Sequence, residues 1–473
     1  MKTLLNVPWI LLAAACVSLS AERPNIVLIL ADDLGWGEIG VYGQKKMKTP
    51  NLDRLARGGI RFTQFYSGSS VCAPARCTLM TGYHTGHAQV RGNLRTGGSS
   101  LGLTNTGQHP LAKGTVTIGH LLQQRGYRTG AIGKWGLGRF DNSGAPDKQG
   151  FDHYFGYLCQ LQAHTHYPNH LWRNGEIVKI PENDAGWNGT KHSHDLMTEE
   201  SLKFIDDNAD TPFFLYVAYA IPHVSIQATP EATAQYAGKF DEPKEFKGSS
   251  TYIPHKTPRT GYAAMIHMLD RDVGRIMDKL KAKGLSDNTL ILFTSDNGPT
   301  FNGGSDSTFF DSAGPFGGLK VDLYEGGIRV PLIASWPGKI RPNTVSLHPA
   351  AFWDLLPTLA EVARTKPPQG IDGLSFLPAL LDKAAPRHKS FYWEFTGAQA
   401  VRIGDWKLVK NSPRRAGVTR RDRRTELFHL AADPGERHDL AAQMPDKVKE
   451  LEAEMARQHR PSKNFPLVRK TNR

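Results

Sequence analysis

Continuous apolar runs alternate along the chain with longer stretches in which apolar residues recur every three or four positions, and the two textures predict different elements. The runs Asn25–Ala31, Arg128–Gly133, Phe213–Tyr219, Leu290–Ser295 and Val330–Ser335 are short and read as strands. Between them Thr117–Gln124, Glu199–Asp207, Tyr262–Lys281 and Trp353–Val362 read as helices. The third is the clearest, because Ile266, Leu269, Val273, Ile276, Met277 and Leu280 keep helical spacing while charged residues fill the other face. This alternation predicts an α/β fold with a large, mixed but mostly parallel sheet sandwiched by helices. Around Pro367–Gly373 the texture changes. Ser390–Phe395, Ala400–Val409 and Glu426–Leu430 then predict a small antiparallel sheet, and a charged helix over Asp446–Gln458 closes the chain. The division expected is one large domain over 22–375 and a small C-terminal subdomain over 376–473.

A length of 473 residues agrees with more than one small core. Residues 1–21 carry Lys2, an apolar run from Val7 to Leu19 and the ending Ser18-Leu19-Ser20-Ala21, which read as a cleaved secretory signal. The run is too short for a membrane span, and no second stretch is long and apolar enough, so no transmembrane segment is expected. Ala13-Ala14-Ala15-Cys16 loosely resembles a lipobox without its leading leucine, which leaves a lipid tether as the alternative to a freely periplasmic or secreted protein. Loss of the signal removes only Lys2, so the formal charge of +13 becomes +12, a balance that suits an anionic substrate or surface. Six arginines fall within Arg414–Arg424 with no interleaved aromatics, the texture of a solvated loop, and no nucleic-acid partner is expected. Once Cys16 is removed only Cys72, Cys77 and Cys159 remain, which excludes a disulfide scaffold; with Cys72 catalytic, one Cys77–Cys159 bridge is the most that can form.

Two of the strands run straight into acidic turns. Asn25–Ala31 ends in Asp32-Asp33 and Leu290–Ser295 ends in Asp296-Asn297-Gly298. Adjacent strand residues point to opposite faces, so neighbouring acids can face one cation only from a turn. Three carboxylates and an amide oxygen form an all-oxygen set that favours calcium or magnesium over zinc. Asp and Asn are also ordinary turn residues, so either pair alone says little.

The specific signal is Cys72-Ala73-Pro74-Ala75-Arg76-Cys77-Thr78-Leu79-Met80-Thr81-Gly82. It resembles the signature of the formylglycine-dependent sulfatases, arylsulfatase-like members of the alkaline phosphatase superfamily, in which Cys-x-Pro-x-Arg marks the cysteine oxidised to formylglycine. Three further segments resemble the family's motifs in the expected order: Gly126–Trp135 with Lys134, Pro222-His223, and Lys320 followed by Glu325–Pro331. Trp406-Lys407-Leu408, Glu426-Leu427-Phe428 and Asp433-Pro434-Gly435-Glu436 resemble its C-terminal subdomain, so the likeness covers nearly the whole chain after residue 21.

The resemblance implies a sulfuric ester hydrolase whose Cys72 is oxidised by a separate formylglycine-generating enzyme. It implies a calcium ion held by Asp32, Asp33, Asp296, Asn297 and the group made from Cys72. By the same resemblance, a hydroxyl of the hydrated aldehyde, oriented by Arg76, would attack sulfur while Lys134 and Lys320 balance the sulfuryl charge; His223 would protonate the departing oxygen, and the second hydroxyl would lose its proton and expel sulfate. His84, His87, Arg91 and Asn93 follow the signature closely and are candidates for the mouth of the site. One position departs from the pattern. Many sulfatases read Lys-Trp-His-Leu-Gly, whereas this chain reads Lys134-Trp135-Gly136-Leu137-Gly138, and His164 and His166 are the candidate replacements for the missing histidine. The Lys-Trp-Gly variant and the stretch Gln160–Pro168 look similar to bacterial sulfatases acting on sulfated galactose or N-acetylgalactosamine. Two rival readings stand beside this one: a phosphoester or phosphonate hydrolase of the same fold, and a non-catalytic protein that binds sulfated glycans.

Overall fold

A computed structural model describes residues 23–96, 107–184, 187–412 and 424–467. The segment expected to be a signal, with Cys16, and nearly all of the arginine-rich stretch lie outside the described residues. Eleven strands form the large sheet: β1 (Asn25–Asp32), β2 (Ile60–Tyr66), β3 (Arg128–Lys134), β4 (His153–Tyr157), β5 (His170–Arg173), β6 (Glu176–Lys179), β7 (Phe213–Pro222), β8 (Thr289–Ser295), β9 (Arg329–Ser335), β10 (Thr344–Ser346) and β11 (Ala350–Ala351). Across the sheet they run β10-β2-β9-β8-β1-β7-β3-β4-β5-β6, with β11 also on β2. From β8 to β4 every pairing is parallel, whereas β9 runs antiparallel to β8 and β2, and β5 and β6 return antiparallel at the other edge. The sheet is therefore mixed and mostly parallel, with its parallel strands buried at the centre as the continuous apolar runs require.

The longer helices are α1 (Pro50–Arg57), α2 (Cys72–Thr81), α3 (Ile118–Gln124), α4 (Ser193–Asp207), α5 (Pro258–Ala282), α6 (Leu355–Val362) and α7 (Pro445–Gln458). The period of two along β1 sorts them onto two faces. Ile26, Leu28 and Leu30 pack with residues of α2, α3 and α6, while Val27, Ile29 and Ala31 pack with residues of α1, α4 and α5. Among the described residues no helix is long and apolar enough to cross a membrane.

The C-terminal sheet has four antiparallel strands in chain order: β12 (Phe391–Phe395), β13 (Ala398–Ile403), β14 (Trp406–Lys410) and β15 (Thr425–His429). The single run expected at Ala400–Val409 is thus two strands. Ile403 pairs with Trp406 across a Gly404-Asp405 turn in which Gly404 takes a φ of 57°, the left-handed region that glycine enters without steric cost. One face of this sheet packs Trp393, Val409 and Phe428 against Tyr66 and Trp353; the other packs Tyr392, Leu408 and Leu427 against Leu451 and Met455 of α7. Cys77 and Cys159 are both buried free thiols, so the bridge that the cysteine count allowed is not formed.

Candidate active site

The carboxyl ends of β1, β8, β3 and β7 lie side by side at the middle of the sheet, where open α/β sheets hold their ligands. Ala31 of β1 is in register with Ser295 of β8, so the parallel pairing brings Asp32-Asp33 beside Asp296-Asn297. Asp33 takes a φ of 68°, a left-handed turn that carries its carboxylate toward the same point as that of Asp32. The Asp33 amide donates to Asp296 Oδ1 at 3.1 Å, and Asn297 Nδ2 donates to Asp33 Oδ1 at 2.8 Å. Asn297 Oδ1 is buried and accepts no hydrogen bond from the protein. An orphaned amide oxygen next to three buried carboxylates is a donor set that fits a hard divalent cation.

Cys72 is the first residue of α2, every residue of which is buried. Its Sγ lies 3.4 Å from Asp32 Oδ1 and 3.6 Å from Lys134 Nζ. One turn on, Arg76 donates to Asp296 Oδ2 at 2.9 Å and to the Lys134 carbonyl at 2.6 Å, and so ties the helix to both neighbouring strand ends. Lys320 Nζ meets Asp33 Oδ2 at 2.7 Å, and its loop is fixed by Lys320 N to the Pro299 carbonyl and Val321 N to the Ser70 carbonyl. His223, just past β7, places Nε2 3.7 Å from Asp33 Oδ2, and its Nδ1 bonds the Val224 carbonyl. Asp32, Asp33, Cys72 and His223 offer ligand atoms that all lie within 4.8 Å of one another.

Three buried carboxylates, Asp32, Asp33 and Asp296, face three buried cations, Arg76, Lys134 and Lys320, and against its burial the charges of Lys134 and Arg76 hold the Asp32 carboxyl low. Burial, and next the charge of Asp32, push the Asp296 carboxyl up to about 7. Burial likewise raises Asp33. The Cys72 thiol is pushed far up by burial and then by Asp32, which keeps it a neutral, poor nucleophile. Burial and the charges of Lys320 and Lys134 hold the His223 imidazole neutral.

Cys72, Lys134, His223 and Lys320 open onto a cavity of about 550 Å³ that also takes in Asn93, His164 and Gln160. His164 stacks on His223 with ring centroids 5.0 Å apart. His166 stands behind it, buried, with Nε2 2.9 Å from the His223 carbonyl, and does not reach the cavity. Neither histidine fills the space over Gly136: the atoms nearest to a Cβ built there are all of Gln160. Asn93 lines the cavity and accepts a bond from the Ala73 amide at 3.0 Å.

His84 and Arg91, expected at the mouth, are packed elsewhere. His84 sits at 5% exposure with Nε2 2.9 Å from Gln458 Oε1 of α7, and Arg91 donates to Glu394 Oε1 at 2.8 Å and to the Arg460 carbonyl at 2.7 Å. His87 bonds Asp372 at 2.8 Å. These side chains fasten the C-terminal segment to the loop after α2 because burial leaves their charged and polar atoms no other partners. Sequence reading missed Tyr252, Asn302 and Thr396 as cavity walls, since each lies in a loop without a motif.

Comparison with known proteins bears on this geometry. The family model described as Sulfatase matches residues 24–365, and the one described as N-sulphoglucosamine sulphohydrolase, C-terminal, matches residues 319–462. The N-acetylgalactosamine-6-sulfatase of Rattus norvegicus is 34% identical over 89% of this chain and 82% of its own length, and the arylsulfatase A of Homo sapiens is 35% identical over 85% and 78%. The crystal structure of Ps i-CgsB in complex with k-i-k-neocarrahexaose superposes with a TM-score of 0.75 at 29% identity over 92% of each chain. Agreement at this identity over nearly full lengths makes the chain a member of the sulfatase family, a sulfuric ester hydrolase.

Proposed function

We propose that this enzyme hydrolyses sulfate monoesters on a carbohydrate, a galactose or N-acetylgalactosamine sulfate, after a maturing enzyme has converted Cys72 to formylglycine in an exported protein. The observation that carries the reading is the convergence of Cys72, Lys134, Lys320 and His223 on one buried carboxylate cluster. The names of relatives such as the N-acetylgalactosamine-6-sulfatase favour the sugar class.

Asp32, Asp33, Asp296 and Asn297 would hold a calcium ion, together with the group made from Cys72. When bound, that ion supplies positive charge for the sulfuryl oxygens and for the nucleophile. A hydrated aldehyde at residue 72 supplies a hydroxyl nucleophile where the buried thiol is ineffective. The remaining work belongs to side chains. Lys134 and Lys320 face the cavity and offset the negative charge of the sulfuryl group as it is transferred. Arg76 holds Asp32 and Asp296 in place and keeps the first turn of α2 against β3. His223 Nε2 points away from its Val224 contact; once an anionic substrate offsets the two lysines, it takes up a proton and passes it to the leaving oxygen.

Peptide mass spectrometry of the exported protein tests the nucleophile, and a panel of defined sulfated sugars tests the substrate. Conversion at Cys72, with turnover of galactose or N-acetylgalactosamine sulfates, is expected. A thiol persisting at Cys72 in fully active protein would sink the formylglycine step, and activity confined to glucosamine or simple aryl sulfates would sink the sugar assignment. Cys72→Ala is expected to abolish turnover with an unchanged circular dichroism spectrum.

A further inference from the structure

Gln160 has no role in the scheme above, yet it occupies the same cavity. Its side chain is 6% exposed, and both Oε1 and Nε2 are buried without a hydrogen-bond partner in the protein. Among the described residues no other buried side chain has both polar ends unpaired. Such an amide is costly to bury unless something else satisfies it. Its main chain is fixed, because the Gln160 amide donates to Gln108 Oε1 at 2.8 Å, and the residue forms part of the cavity wall.

The sequence keeps the space for it. Gly136 lies two residues beyond Lys134, in a left-handed turn with a φ of 75°, and a Cβ built there would stand 1.7 Å from Gln160 Nε2. Any other residue at 136 would therefore push the amide from its position on the wall that carries Lys134. A primary amide offers two N–H donors and no charge. Beside the cations Lys134 and Lys320 on the same wall, it can bond an anionic oxygen without adding charge to the site.

We propose that Gln160 is a substrate-contacting residue whose side-chain amide donates a hydrogen bond to a sulfuryl oxygen of the bound ester. This rests on the reading that the cavity takes the sulfate group.

The test uses full-length, calcium-supplied protein and two probes: inorganic sulfate titrated by calorimetry, and kcat and KM for p-nitrophenyl sulfate. Gln160→Ala should weaken sulfate binding about tenfold, the size of a lost hydrogen bond to a charged acceptor. Gln160→Glu keeps the shape but sets an acceptor against an anion, so its loss should be at least as large. Gly136→Ala should reproduce the loss by displacing the amide, and adding it to Gln160→Ala should cost no further sulfate affinity. Unchanged sulfate affinity in Gln160→Ala, or parent-like affinity in Gln160→Glu, would overturn the contact. If the parent turns over the ester while the variants match it, this inference alone falls; if the parent neither binds sulfate nor cleaves the ester, the sulfate-site reading falls with it.

Discussion

Arg91 shows how a residue close to Cys72 in sequence can belong to packing. Its guanidinium is buried against Glu394, and removing one partner of a buried pair leaves the other charge uncompensated. Arg91→Met is expected to lower stability by about 3 kcal/mol in denaturant titration while KM stays at the parent value; a raised KM at unchanged stability would return Arg91 to the substrate mouth. Glu38 gives the residue scale a pH signature. Burial pushes its carboxyl up to about 7 from an ordinary value of 4.5, while Gly35 N and Tyr262 OH bond it at 2.7 Å and 2.9 Å. Between those two pH values the folded chain holds a proton that the unfolded chain has released, so stability falls as pH rises through the window and levels off above about 7. Melting temperatures recorded across that range should show the fall, and Glu38→Gln should flatten it.

At the scale of elements, legibility followed amphipathicity. Helix α5 was plain because one face is charged. Helix α2, the element that presents Cys72, is buried on all sides, so no polar stripe marked it as a helix. Its sequence spoke only through the Cys-x-Pro-x-Arg signature. Strand β2 went unread because its burial is interrupted at Arg61, Thr63 and Gln64, and its partners β9 and β10 come hundreds of residues later. Asn93 secures the start of α2 through the Ala73 amide. Asn93→Ala should cost about 1 kcal/mol, the usual worth of an N-terminal cap, and lower kcat by loosening residue 72, whereas Asn93→Asp should restore much of the stability. Equal kcat in Asn93→Ala and parent would show that this bond does not position residue 72.

Over the whole molecule, the two sheets are locked by a buried charge triad. Lys407 of β14 bonds Glu325 and Glu436, each at 2.9 Å, with no exposure at any of the three. Tyr66 of β2 also donates to Glu325. Lys407→Met should destabilise the protein by about 3 kcal/mol, because Glu325 and Glu436 both lose a buried cation and Glu325 keeps, among the described residues, only Arg329, at 3.1 Å, as an ion-pair partner. Converting all three positions to apolar residues should recover most of that loss. The interface matters to the site, since Phe395 and Thr396 at the end of β12 reach the cavity wall.

The alternation of apolar runs and amphipathic stretches determined that this chain forms a mostly parallel sheet covered by helices. Its motifs named the strand ends that meet at the middle of the sheet. Those features are local, set by side-chain period and turn chemistry within a few residues. Strand order, the packing of His84 and Arg91 into the core, and the pairing of Gly136 with Gln160 were decided only by the tertiary structure. Each depends on contacts between segments that no period or spacing links, and a vacancy at one residue acquires meaning only when another side chain is seen to fill it.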